Sequence, residues 1–262
     1  MNLVVDNVPQ AFYQLNRHLS ESGSEVSGYL EAINARIVIN NPQQRVAAVR
    51  SDNGCFVPYM GLQWAWYAYT HQDTALKEYY PEAWQRATKG DVNSNYGQYV
   101  WAESQFHNCF KLLRDDPNTR RAVIMFNRKE VAMSSTNDHI CTTSLQFLAR
   151  DGQLHLITTM RSNELHFGFR TDVVFFTMLQ EIMATLLGLK LGTYCHNVGS
   201  LHVKKDKITH EHVTLIDWPK FCFAELPHLI ELRQFFNPNP KFTKSTFELT
   251  NLLQDNLRFF KS

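Results

Sequence analysis

The dipeptide Asp151-Gly152, set between the apolar runs Ser144 to Arg150 and Gln153 to Arg161, constrains this chain more than any other local signal. An Asp-Gly pair tolerates the positive φ angles of a two-residue turn, and such a turn matches the right-handed twist of paired strands. An antiparallel hairpin is therefore expected here. Arg121 to Phe126, entered from the turn Asp116-Pro117-Asn118, reads as a further strand, and so does His196 to Val203. Between the hairpin and that last strand, Asp172 to Leu187 has the spacing of an amphipathic-to-buried helix, stopped by Gly188.

The amino-terminal half is more helical. Asn7 to Leu19 is expected as a helix followed by a loop at Ser20 to Ser24, then a short strand Arg36 to Ile39 stopped by Asn40-Asn41-Pro42. Val57 to Tyr69 is almost wholly apolar and reads as a buried helix, Pro81 to Ala87 as a helical turn, and Thr88 to Gly97 as a loop into a helix around Trp101 to Leu113. Trp218 to Phe236 mixes helix and loop signals. The order gives an α+β fold, a mixed or antiparallel sheet covered by helices. No repeat or linker divides residues 1–262, which are long enough to bury one core and read as a single domain.

Charge narrows the partners. The net charge of +1, from 26 basic and 25 acidic residues, gives no global field for a nucleic-acid polymer or an anionic membrane, whereas a small anion needs only a local arginine cluster. No apolar run reaches membrane-spanning length and the amino terminus lacks a leader pattern, so a cytoplasmic protein is expected. The five cysteines are scattered without a Cys-x-x-Cys pair, which predicts thiols rather than disulfides, and no metal site.

Polar and reactive residues gather at Asn95-Tyr96-Gly97, Asn118 to Arg121, Asp138 to Thr142, and Met160 to Asp172 continuing to His202. Arg120-Arg121 at a strand start, with Arg161 and Ser162 at the hairpin end, offer forked donors suited to a phosphate. Alone, such a pair is more often a solvated surface pair, and a cysteine more often a small buried apolar side chain. Cys141, however, stands at the mouth of the hairpin strand, and nearby arginines would favour its thiolate.

These motifs, in this order, resemble the thymidylate synthase superfamily: Asp116 to Arg121, Cys141 leading to Gln146-Phe147, Arg161-Ser162-Asn163, Gly168 to Asp172, and Gly199-Ser200-Leu201-His202-Val203. The wording is nearest to the phage dCMP-hydroxymethylating branch, in Asn93 to Gly97, Cys141-Thr142, Met160 to Asn163, Phe167 to Arg170 and Asn197 to Val203. The resemblance covers about residues 34 to 206 and implies a thymidylate synthase-like fold that dimerises through its sheet face. It implies an enzyme in which Cys141 adds to C6 of a pyrimidine nucleoside monophosphate. C5, made nucleophilic, then takes a one-carbon unit from 5,10-methylenetetrahydrofolate. For a cytidylate substrate, dCMP and water would give 5-hydroxymethyl-dCMP in the cytoplasm of a phage host; CMP as substrate, or a methyl product, are alternatives.

The resemblance also distributes roles. Arg161 and Ser162 match phosphate contacts, Arg120 and Arg121 the arginines that cross to the partner's nucleotide, and His202 a sugar contact, with Lys204 where a sugar-binding tyrosine is usual. Tyr96 matches an active-site hydrogen-bonding tyrosine and Gln146 a base contact, while Glu164 and Trp64 fall in the folate region, Glu164 replacing the usual aspartate. Asp172 stands where thymidylate synthases carry asparagine, and a carboxylate can accept from the N4 amino group of cytosine and from a protonated N3. Without that context Asp172 would read as a helix cap. Aligning on Trp64 puts Gly61 where the family has a catalytic glutamate, with Gln63 on a different helix face, and this loss favours a third reading, a nucleotide-binding homologue without turnover. Arg17 or Arg36 is the candidate for the amino-terminal phosphate arginine.

Overall fold

A computed structural model of the chain describes residues 1–52, 94–133, 138–208 and 213–216, with Phe56, Met60, Gln63 and Tyr67 between the first two segments. Gly61, Trp64, the turn at Pro81 to Ala87 and the carboxy-terminal segment from Trp218 lie outside the described residues.

Helix α1 (Val8–Ser22) begins where Asn7 accepts a hydrogen bond from the Gln10 amide, and it buries Val8, Phe12, Leu15 and Leu19 along one face. It runs three residues beyond the expected Leu19, to Ser22, and the amide of the following Gly23 closes on the Leu19 carbonyl. The expected loop from Ser20 to Ser24 is thus the last turn of the helix and the start of a strand, and a second hairpin follows it: Ser27 and Gly28, both at positive φ, join β2 (Ser24–Val26) to β3 (Tyr29–Ile39). The main sheet also holds β1 (Asn2–Val5), β5 (Val123–Met125), β6 (Thr142–Arg150), β7 (Gln153–Glu164) and β8 (Lys190–Lys204), in the order β1-β3-β8-β7-β6-β5. β4 (Val46–Ala48) pairs separately with β9 (Thr214–Ile216). The sheet is mixed, with β1/β3 and β7/β8 parallel and the other pairs antiparallel. Asp151 (φ 50°) and Gly152 (φ 72°) form the expected turn between β6 and β7.

A change of alternation shared by four neighbouring strands positions the site. In β3 the inward residues run through Ala32 and then Ala35, Ile37 and Ile39, the alternation switching at Asn34, which sits at φ 55°. The same switch occurs in β8 between Val198 and Leu201, in β7 between Met160 and Asn163, and in β6 between Thr142 and Leu145. Strand register sets these switches side by side. Gly199 is required there, because a Cβ on it would lie 2.8 Å from the Arg161 carbonyl oxygen. Side chains have a period of two along a strand, so one extra residue turns the far end over. Asn163 and Leu201 thereby face inward. The switch also explains why only Arg36 to Ile39 read as strand from the sequence, since the alternation of the longer strand is broken in its middle.

Helix α2 (Gln105–Asp115) follows a π-helical turn at Gln98–Ala102, and α3 (Arg170–Leu187), buried along most of its length, connects β7 to β8. Gly188 at φ 65° ends α3 as expected. Its first turn is anchored by Arg170, whose two terminal nitrogens meet Asp52 at 2.7 and 2.9 Å and whose guanidinium lies 4.1 Å over the Phe56 ring. Farther along, Glu181 meets the fully buried Arg45 at 2.5 Å and accepts from Gln43. Each buried charge is thus paired, as desolvation demands.

Candidate active site

The inward turn of the strand ends opens a cavity of about 450 Å³ beneath the first turn of α3, a volume suited to a small organic ligand. Its wall includes Cys141, Tyr96, Asp172 and Glu164 from the sequence-based set, together with Gln63, Tyr67, Ser94, Asp138, His139, Asn163, Phe167, Gly168 and Thr171.

Cys141 lies just before β6 and is held there by backbone. Arg161 donates from Nε to the Ile140 carbonyl at 2.9 Å and from Nη2 to the His139 carbonyl at 3.0 Å, while its amide bonds the Cys141 carbonyl at 2.9 Å. The expectation of a favoured thiolate is corrected. Burial pushes the Cys141 thiol up, Arg161 pulls against it, and the carboxylates of Asp172 and Asp138 add to the rise. Sequence proximity to arginines reported the attraction but not the desolvation, which is larger.

Tyr96 accepts from the Thr142 hydroxyl at 2.8 Å and stacks on Tyr67 with ring centroids 5.1 Å apart. Burial, then the fields of Asp172 and Cys141, hold its phenol well above its usual range, so it stays protonated and can donate into the cavity. Ser94 donates through both its amide (2.9 Å) and its hydroxyl (2.8 Å) to Asp138, tying the loop before Tyr96 to the loop before Cys141.

Asp172 lies in the first turn of α3 but does not cap it, since the N-cap position belongs to Phe169. Its carboxylate instead accepts from Asn163 Nδ2 at 2.9 Å. Burial raises its pKa to about 7, against a smaller opposing effect of that hydrogen bond. It is therefore an acid that can give or take a proton near neutrality. Glu164 uses both oxygens to accept the His166 and Phe167 amides, which shapes the turn carrying Phe167 at the rim.

The other expected residues that the structure describes lie outside the cavity wall. Gln146 donates to the Arg120 carbonyl at 3.0 Å and so positions the approach to β5 instead of reaching the cavity. Arg120 and Arg121 are exposed, and their guanidinium groups make no hydrogen bond among the described residues. Ser162 and His202 are half-buried along β7 and β8; the His202 ring packs edge-on against Tyr29 at 5.3 Å, and Lys204 is exposed at the strand end. Arg17 pairs with Glu21 on the exposed face of α1, while Arg36 approaches Cys195 on the outer face of the sheet. Gln63, set aside from the sequence, does line the cavity, because the helical face formed by Phe56, Met60, Gln63 and Tyr67 is the buried one. It donates to the Tyr67 hydroxyl at 2.8 Å.

The residues that sequence reasoning passed over are Asn163, His196 and Tyr194, which continue the hydrogen-bond chain behind Asp172. Asn163 was visible as part of Arg161-Ser162-Asn163, but its inward orientation depends on the parity switch, which no local signal announces.

Known proteins agree with this architecture. The chain is 32% identical over 139 residues to the deoxycytidylate 5-hydroxymethyltransferase of Enterobacteria phage T4, a match covering 47% of this chain and 56% of that protein. It is 32% identical over 158 residues to the deoxyuridylate hydroxymethyltransferase of Bacillus phage SP01, covering 58% of this chain and 41% of that protein. The chain thus spans about half the length of the curated relatives it matches. In three dimensions it matches the thermostable thymidylate synthase A of Bacillus subtilis with a TM-score of 0.62 at 19% identity, over 77% of this chain and 81% of that one. That likeness establishes the α+β fold. Since the thymidylate synthase family model also matches residues 60–250, from the buried Met60 helical face through the cysteine, the kinked strands and beyond, the chain belongs to the thymidylate synthase family.

Proposed function

We propose that the chain transfers a one-carbon unit to C5 of a cytidine nucleotide, converting dCMP, 5,10-methylenetetrahydrofolate and water to 5-hydroxymethyl-dCMP and tetrahydrofolate. The observation that carries this reading is a single cavity with a cysteine thiol and a carboxyl group of near-neutral pKa on its wall. Cys141 would give up its thiol proton to solvent water as Sγ bonds to C6, and the electron pair of the C5–C6 double bond would pass through C4 to N3. Asp172 would deliver its proton to N3, which leaves a neutral ring with a nucleophilic C5. The phenol of Tyr96, kept protonated, would donate to water or to the reacting ring. The residues also fit the cosubstrate: Phe167, exposed at the rim, offers a face for a flat heterocycle, and the Glu164 carboxylate holds its turn in place. When bound, methylenetetrahydrofolate would supply carbon at the oxidation level of formaldehyde.

The phosphate would lie toward Arg161 and Ser162, with His202 and Lys204 near the sugar. Support for a homodimer comes from the outer face of the sheet. Val4, Val38, Cys195, Ile157, Gln146 and Val123 form one continuous row across six strands, and Val4 is 64% exposed. A second copy seated there would cover this row and bring Arg120 and Arg121 to the other subunit's phosphate. Mixing Arg120→Ala/Arg121→Ala subunits with Cys141→Ser subunits is then expected to restore part of the activity that each lacks alone; no recovery after subunit exchange would place those arginines outside the partner's site.

Incubation with dCMP, methylenetetrahydrofolate and labelled water tests the whole reading. Labelled 5-hydroxymethyl product is expected, and the absence of both product and C5 hydrogen exchange would reject the reading. The same assay with CMP, read by product mass, separates the ribose substrate and the methyl product. Gly61, at the position of the family glutamate, favours a second reading in which nucleotide binds without turnover. A tight dCMP complex lacking any Cys141–C6 bond would support that one.

A further inference from the structure

We infer that Asn163, oriented by His196 and Tyr194, fixes which oxygen of Asp172 carries a proton and thereby sets which pyrimidine the cavity accepts. The inference rests on the reading of the cavity as a pyrimidine nucleotide site.

The geometry is a single buried chain. Tyr194 Oη lies 2.7 Å from His196 Nδ1, His196 Nε2 lies 3.0 Å from Asn163 Oδ1, and Asn163 Nδ2 lies 2.9 Å from Asp172 Oδ2. All four side chains are buried. Burial pushes His196 down to about 3, so its ring is neutral and carries one N–H; burial also holds the Tyr194 phenol well above its usual range, so it stays a donor. A phenol that donates to Nδ1 leaves the ring hydrogen on Nε2, where it donates to the Asn163 carbonyl oxygen. The amide group of Asn163 must then face Asp172. Two neighbours lock the arrangement. Phe169 packs edge-on against the His196 ring at 5.3 Å, and Gly168 leaves space for the Asn163 amide, since a Cβ there would come within 2.9 Å of Nδ2.

A carboxylic acid without such a neighbour has two equivalent oxygens. With the proton on one it matches cytosine, accepting from N4–H and donating to N3; with the proton on the other it matches uracil, donating to O4 and accepting from N3–H. The chain removes this ambiguity because Oδ2, already receiving a hydrogen, acts only as an acceptor. Any proton resides on Oδ1. Cytosine is then read with N4–H on Oδ2 and N3 on Oδ1, and Oδ1 is also the atom that delivers the proton to N3. Asn163 is a positioning residue, and it discriminates without having to touch the base. The titratable groups facing Asp172 are Cys141 before β6, Tyr96 from the helical turn that leads into Gln98–Ala102, and Tyr194 behind it on β8; Asp138, His139, Glu164 and Tyr67 share the cavity.

The test uses Asp172→Asn, whose introduced amide cannot equalise its two ends, and measures dCMP and dUMP binding. With Asn163 present, the amide oxygen is held toward Asn163 Nδ2 and dCMP remains preferred. Adding Asn163→Ala frees the amide, and the preference is expected to fall by about tenfold or more, with dUMP binding gained. Tyr194→Phe, a milder change that frees the His196 tautomer, is expected to move the ratio in the same direction. An equal ratio in all three backgrounds would overturn the inference, as would a gain in dUMP binding from Asp172→Asn alone. A readout without nucleotide is the carboxyl-carbon NMR titration of Asp172, whose midpoint is expected to move to higher pH in Asn163→Ala because a donor to the carboxylate is lost. An unchanged midpoint rejects the chain. If wild-type protein binds neither nucleotide, the functional reading fails while this titration still decides the inference.

Discussion

Cys141→Ser is expected to abolish product formation and C5 hydrogen exchange, each by on the order of 10³-fold or more, while dCMP binding changes little. A serine hydroxyl fills nearly the same volume, and the groups that hold the position are backbone carbonyls bonded by Arg161, which the substitution leaves intact. What disappears is a polarisable sulfur nucleophile, whose thiol ionises far more readily than a serine hydroxyl. The measurement is release of label from C5-labelled dCMP, with mass spectrometry of a trapped adduct alongside. A variant that still exchanges the C5 hydrogen at near wild-type rate would show that another group activates the ring. The elevated thiol of the free protein has a further consequence. Because burial outweighs Arg161, the reactive thiolate is scarce before substrate arrives, and general reagents such as iodoacetamide should modify Cys141 slowly at pH 7.

The fold was legible where local rules act alone. The Asp151-Gly152 turn and the Gly188 stop each depend on one or two residues, and each stands where the sequence puts it. The expected strand at Arg36 to Ile39 is only the end of an eleven-residue one. Its inward residues change parity at Asn34, a switch that makes sense only beside the matching ones in β7 and β8. The site divides in the same way. Cys141, Tyr96, Asp172 and Glu164 were found through motifs and share one wall, whereas Gln146 turned out to serve a backbone carbonyl. The chain behind Asp172 uses Tyr194 and His196, alternate inward residues of a strand whose pattern reads as ordinary core. Periodicity identifies such residues as buried. Only the partner across the sheet shows that burial is part of a hydrogen-bonded chain.

Asp172→Asn carries the second large effect. An amide retains the acceptor that Asn163 demands but cannot give a proton to N3, so transfer to dCMP is expected to fall by about 10²–10⁴-fold with binding largely kept. Steady-state assays over pH check the assignment. Wild-type activity should decline above about pH 7, where Asp172 loses the proton it must deliver, and the residual activity of the variant should lack that limb. Stability supplies an independent control with a defined sign. The folded-state pKa of Asp172 is raised by burial from 3.8 to about 7, so its contribution to stability is greatest below the unfolded value and is lost as pH rises toward the folded one. Replacing the carboxyl by an amide removes that loss. The variant should therefore gain thermal stability relative to wild type as pH rises through this window and hold the gain above it. A variant that loses both activity and stability at pH 8 would instead mark Asp172 as a structural group. Gained stability with lost transfer is the outcome expected of a carboxyl group kept in an unfavourable environment because its proton is needed there.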